Sequence, residues 1–289
     1  MQKYDFNNNS VIIYSIKKFV CYICPMKNFC IFLCLFFMFS CGQYRAHQKI
    51  VKSTDPDFKY TQAVNYYNNE DYGRALQLFE DILIDFKNTD QSENVYYYYI
   101  YSNFYMKDYL STAYHANNFT STFLLSAKNE EMDFLKAYCY YLDSPRSTLD
   151  QENTYKAIDE LQFFIEKHPE SDSLNRANEL IVELNQKLAK KHYEIAKLYH
   201  ETGKFEAAIS AIDSYITSFP ETSLLESISF VQVKAYYELG KNSIEEKQEQ
   251  RIKEAIFACN NFLIAFPSGV HAEEATMIYE KLKAIQNGL

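Results

Sequence analysis

The feature that most restricts what this 289-residue chain can fold into is a register that returns five times. A small residue is followed by an apolar one, a second small or apolar residue stands four positions on, and a ring stands eleven positions on. The opening positions are Ala75, Thr112, Ala157, Ala208 and Ala255. Four later come Phe79, Ala116, Leu161, Ile212 and Cys259; eleven later come Phe86, Phe123, His168, Phe219 and Phe266. The clearest copy covers 195–220. There Ala196 and Ala208 let two helices touch closely, Gly203 permits the tight turn between them, and Pro220 stops the second. Apolar residues at 208, 209, 212, 215, 216 and 219 follow the spacing of an amphipathic helix. The unit is a helix, a turn and a helix, and its recurrence predicts an all-α chain.

This unit resembles the tetratricopeptide (TPR) repeat, which implies a solenoid of about five helical hairpins over 58–289, each packed only on its neighbours. The opening positions lie 37, 45, 51 and 47 residues apart, against about 34 in an uninterrupted array. The hairpins therefore carry insertions. Two of eight residues fall at 144–151 and 242–249, each between the two helices of a hairpin. A third, from about Leu174, lengthens the first helix of the fourth repeat by 14 residues, or about 21 Å, and predicts a rod projecting beyond the stack. Ala275, Ile278, Tyr279 and Leu282 share one face of a last helix over 272–285, placed to cap the final repeat. Lys87 stands where Pro169, Pro220 and Pro267 close other repeats, which predicts a frayed end for the first hairpin.

Residues 1–40 read as a signal peptide outside the fold. From Met26, a possible true start, one Lys is followed by an apolar run over 29–39 and then Ser40-Cys41-Gly42. That layout resembles a bacterial lipoprotein signal, which implies lipid on Cys41. Met38 and Phe39 depart from the signal motif, which prefers Leu and a small residue. A retained membrane helix is the competing reading, but the run is far shorter than the roughly 20 residues a span needs. The polar stretch 41–57 reads as a lipidated tether. Beyond Cys41 only Cys139 and Cys259 remain, two repeats apart on apolar faces, and both read as buried free thiols.

The net charge is -9, and no basic stripe appears, which argues against a nucleic-acid partner. His200-Glu201 has Lys204 where a zinc-protease motif needs a second His. Neither a phosphate loop nor a nucleophile elbow is present. The expectation is a protein that is not an enzyme, with no catalytic residue, cofactor or metal. The tract Tyr96–Tyr101, with Ile100 inside it, turns about 100° per residue, so its rings cannot all face one neighbour. Tyr98 and Tyr105, seven apart, are candidates for a peptide groove, and the charged insertion makes Glu245 and Glu246 candidates for docking a folded partner.

The insertion at 144–151 carries Ser144, Pro145, Leu149, Asp150 and Gln151, followed by Thr154, Ala157-Ile158 and His168-Pro169. With Cys41 and the repeats, this string resembles the BamD family of outer-membrane lipoproteins over nearly the whole chain after the leader. The resemblance implies a periplasmic adaptor of β-barrel assembly that binds a BamA-like barrel subunit and unfolded outer-membrane proteins. By that resemblance the Tyr98 and Tyr105 surface would hold a barrel segment, and the fourth and fifth repeats would dock the barrel subunit. The alternative is another TPR-repeat envelope lipoprotein, a scaffold for cell-wall synthesis or division. A glycan-binding surface lipoprotein is the weaker third class, since no acidic run follows Cys41.

Overall fold

A computed structural model describes residues 45–288, and eleven helices follow one another there beside a short helical segment at 45–51. In order they are α1 (Pro56–Asn68), α2 (Tyr72–Ile82), α3 (Ser92–Tyr105), α4 (Tyr109–Thr122), α5 (Asn129–Asp143), α6 (Glu152–Lys167), α7 (Leu174–Glu201), α8 (Phe205–Ser218), α9 (Leu225–Lys241), α10 (Glu245–Ala265) and α11 (Ala272–Gly288). The fold is all-α and built from TPR-like hairpins. The chain divides into two compact units, Met1–Lys107 and Asp108–Leu289.

In the first unit α1 packs on α2, and α2 on α3. Asp55 caps α1 by accepting from the Phe58 N–H, with Pro56 preset for the first turn. Asp71 caps α2 the same way through the Arg74 N–H. Ala63 and Ala75 are fully buried where the two helices approach, over a core of Leu78, Phe79, Ile82, Val95 and Ile100. The end of α2 unwinds through consecutive turns to Asn88, whose φ is 65°, as the missing proline leads one to expect. Residues 45–51, expected as part of a polar tether, are helical instead. His47 is buried there: its Nε2 pairs with Gln77 Oε1 at 2.9 Å and its ring stands edge-on to Tyr66. A polar ring with both an amide and an aromatic partner docks rather than staying in solvent. The expected leader 1–40 and Cys41 lie outside the described residues.

In the second unit each helix from α4 to α11 packs on the next. The opening positions Thr112, Ala157, Ala208 and Ala255 are fully buried, as are Ala116, Leu161, Ile212 and Cys259. Phe123, His168, Phe219 and Phe266 end their helices in one conformation, with ψ between 57° and 64°. Each donates its N–H to the carbonyl four residues back and rests its ring on Phe119, Phe164, Tyr215 or Phe262, at 4.9–5.4 Å. The next helix starts six residues after each ring. The ring therefore both stops one helix and sets the start of its successor.

Two expectations change. The 28-residue α7 does not project freely. Ala177, Leu180, Leu184 and Leu188 join a core with Leu161 and Phe164 of α6, while Ala189 and Ala196 join the next core with Ile212, Tyr215 and Ile228. One helix thus serves two hairpins, because its apolar spacing continues without a break. The 242–249 insertion is mostly helix: only 242–244 is irregular, and the rest forms the start of the 21-residue α10. At Gly240 a Cβ would meet Ile252 Cδ1 at 2.9 Å, so α9 and α10 approach closely there. Cys139 and Cys259 are buried and free, and burial pushes their thiols up to about 12 and about 11. No helix among the described residues is long and apolar enough to cross a membrane.

Candidate functional site

The 144–151 loop is irregular throughout and held from inside. Ser144-Pro145 ends α5, since the residue before a proline is driven out of helical geometry. Gln151 is only 3% exposed. Its Nε2 donates to the carbonyls of Arg146, Leu149 and Asp150 at 3.0, 2.9 and 3.2 Å, and its Oε1 accepts from Thr154 Oγ1 at 2.8 Å. Asp150 Oδ1 accepts the Glu152 N–H at 2.9 Å, which satisfies the first backbone donor of α6. From α7, Lys187 Nζ donates to Ser144 Oγ at 2.8 Å and Lys191 Nζ to the Leu149 carbonyl at 2.5 Å. Burial lowers the Lys187 pKa below that of an ordinary lysine. The structure brings Ser144, Asp150 and Gln151 into one clamp and leaves Leu149, 49% exposed, at its surface.

Tyr98 and Tyr105 share a neighbour, Tyr67 of α1, at 5.0 and 6.0 Å between ring centroids. They differ in role. Tyr98 is half-buried and stacks on Phe79 of the core at 5.6 Å. Tyr105 is 44% exposed and stacks on Tyr72 at 4.4 Å, across the α1–α2 turn. Burial, then Tyr105, raises the Tyr67 hydroxyl above the usual phenol range, so it stays a hydrogen-bond donor at any physiological pH. The result is a face of ring surface with polar tips, suited to apolar or aromatic peptide side chains. Tyr72 is the residue the sequence pattern passed over, because Asp71-Tyr72-Gly73 reads only as a turn.

Glu245 and Glu246 are exposed in the first turn of α10, where their charge also favours the helix dipole. The neighbouring Glu249 pairs with Lys253 at 2.6 Å. A buried polar node was not foreseen. Asp133 of α5, 2% exposed, accepts from Lys167 Nζ at 2.7 Å and lies 2.9 Å from His168 Nε2. It explains why His168 stands where the other repeats have Phe, and its only advance signal was that substitution. Among the described residues no group of three His, Cys, Asp or Glu is placed to hold a metal ion.

The model of the YfiO family, described as outer membrane lipoprotein, matches residues 53–252. A protein of Aquifex aeolicus (strain VF5), named provisionally as outer membrane protein assembly factor BamD, is 30% identical over 201 residues, 68% of this chain and 65% of its own. The outer membrane protein assembly factor BamD of Caulobacter vibrioides is 22% identical over 201 residues, 70% of this chain and 66% of its own. The match thus spans just under two thirds of these relatives' lengths. A solved structure of the yeast Sti1 TPR2AB domain with pHSP90 superposes at a TM-score of 0.37 with 14% identity, over 79% of this chain and 98% of that one; no shared feature follows from so low a score. With a family model matched from the first hairpin into α10, this chain belongs to the YfiO family of outer membrane lipoproteins.

Proposed function

We propose that this chain is a non-enzymatic periplasmic adaptor of outer-membrane β-barrel assembly, anchored by lipid on Cys41. It docks a BamA-like barrel subunit and receives unfolded outer-membrane proteins. The observation that carries the reading is that relatives named as assembly factors align with it over 201 residues, beneath a family match covering 53–252. Physics is compatible with it. The tyrosine face of the first unit offers ring surface to an unfolded segment, whereas the acidic start of α10 offers charge to a folded domain. Charge of that kind sets register and approach rate more than affinity.

Isolation of the native chain from a membrane extract tests the reading. A large β-barrel protein in stoichiometric amount supports it; cell-wall enzymes in its place sink it in favour of the envelope scaffold. Cys41→Ser should move the chain to the soluble fraction after a salt wash, since acyl chains contribute about 0.8 kcal/mol per buried CH₂. Tyr72→Ala with Tyr105→Ala should weaken capture of an unfolded barrel segment and spare co-purification of the barrel subunit. Glu245→Lys with Glu246→Lys should do the reverse. Loss of both partners in both folded variants would replace two surfaces with one.

A further inference from the structure

A cleft of about 580 Å³ opens between α8, α9 and α10. Ile216, Phe257 and Phe266 give it apolar lining, and Asp213, Tyr236 and Glu254 give it polar lining. Phe257 is 68% exposed, so much of its ring is open to a partner at the cleft. The two carboxylates are satisfied by amides and not by cations. Asp213 Oδ1 accepts from Gln232 Nε2 at 2.6 Å, and Glu254 Oε1 accepts from Gln250 Nε2 at 2.9 Å. The lysine of the cleft, Lys253, is already engaged by Glu249. Two carboxylates from different helices thus line one cleft with a phenol, and neither forms an ion pair among the described residues. After burial, Asp213 and then Glu254 raise the Tyr236 hydroxyl, so each carboxylate acts on the phenol that lines the cleft with them.

We infer that this cleft takes a partner segment that presents an arginine beside an aliphatic or aromatic side chain. A guanidinium is planar and carries five donors, so it can bridge two carboxylates while its face lies on a ring. Lysine, a compact and strongly hydrated charge, would bridge them less well. The neighbouring apolar side chain would enter against Ile216 and Phe266, leaving Phe257 to cover it. Charge complementarity selects this occupant over an acidic or purely apolar segment. The inference rests on the adaptor reading only in that a partner must supply the segment.

The test uses the full chain in a non-ionic detergent and two fluorescein-labelled, end-capped hexapeptides with a Leu-Arg-Phe core. They are identical except that one carries citrulline, which has nearly the shape of arginine without its charge. Fluorescence polarisation should show the arginine peptide binding about ten-fold or more tightly. Asp213→Asn with Glu254→Gln should bring that ratio close to one without lowering the melting temperature. Equal binding of the two peptides, no saturable binding, or a ratio that survives the double variant overturns the inference. So does sedimentation revealing a dimer that Phe257→Ser dissociates, since the cleft would then hold a second copy of this chain. If discrimination is absent while a barrel protein still co-purifies, the cleft assignment fails and the adaptor reading stands. Discrimination without a barrel partner would have the opposite meaning.

Discussion

Replacing Gln151 by Ala should loosen the 144–151 loop and lower the stability of the second unit by about 2–3 kcal/mol. Gln151 has three close carbonyls but only two amide hydrogens, so the three donor contacts amount to two full bonds at most. The Thr154 hydroxyl adds a third. Neutral hydrogen bonds contribute about 0.5–1.5 kcal/mol each, which gives roughly 3 kcal/mol for the set. Some of this returns, because Arg146, Leu149 and Asp150 are exposed and water can reach their carbonyls. Thr154, fully buried, has no such recourse beyond its contact with Ser144. For a unit of this size each kcal/mol shifts the melting temperature by about 2–4 °C, so a fall of roughly 4–12 °C is expected. Hydrogen exchange read by mass spectrometry should in addition show faster exchange over 144–155 than elsewhere. A melting temperature within 1 °C of the parent, with unchanged exchange in that segment, would refute the clamp.

Two further outcomes follow from burial alone. Ala208→Leu should cost roughly 1–3 kcal/mol, because Ala208 is fully enclosed beside Ala235, Tyr199 and Leu239; Ser210→Leu, exposed on the same helix, should be close to neutral, and equal melting temperatures would contradict the register. Cys139 and Cys259 should resist iodoacetamide at pH 8 in the native chain and label fully in urea, as read from their peptides by mass spectrometry. Unfolded thiols ionise near 9.0, whereas these stay protonated to about 12 and about 11. Their contribution to stability is therefore complete below pH 9 and is lost as pH rises through that window.

The register was legible because it depends on few residue types. Small residues mark helix contacts and rings mark helix ends, and both survive in the linear text. The start of α7 at Leu174 followed from counting, since 14 surplus residues with an unbroken apolar period can only lengthen a helix. What it packs against was not legible: periodicity identifies an apolar face but not the neighbour it meets. The two eight-residue insertions parted company for a local reason. Ser144-Pro145 breaks a helix, whereas Glu245 through Glu249 are strong helix formers and extend the one that follows. Asp133 and His168 are 35 residues apart, and Asp213, Tyr236 and Glu254 sit on three different helices. Proximity of that kind is made by the fold and leaves no spacing to read.

The shared helix α7 makes the chain unequal in how it can change length over evolution. Leu188 closes one core and Ala189, the very next residue, opens the other, which runs on to Ala196 along continuous helix. Inserting one residue there would turn the second hairpin about 100° and advance it 1.5 Å relative to the first. The surfaces where the two hairpins meet would then no longer match. Seven inserted residues would restore the phase to within about 20°, though at the cost of a gap between the cores. Length variation among natural relatives should therefore be absent from 188–196 and collect in the turns, so this rod acts as the fixed ruler of the second unit.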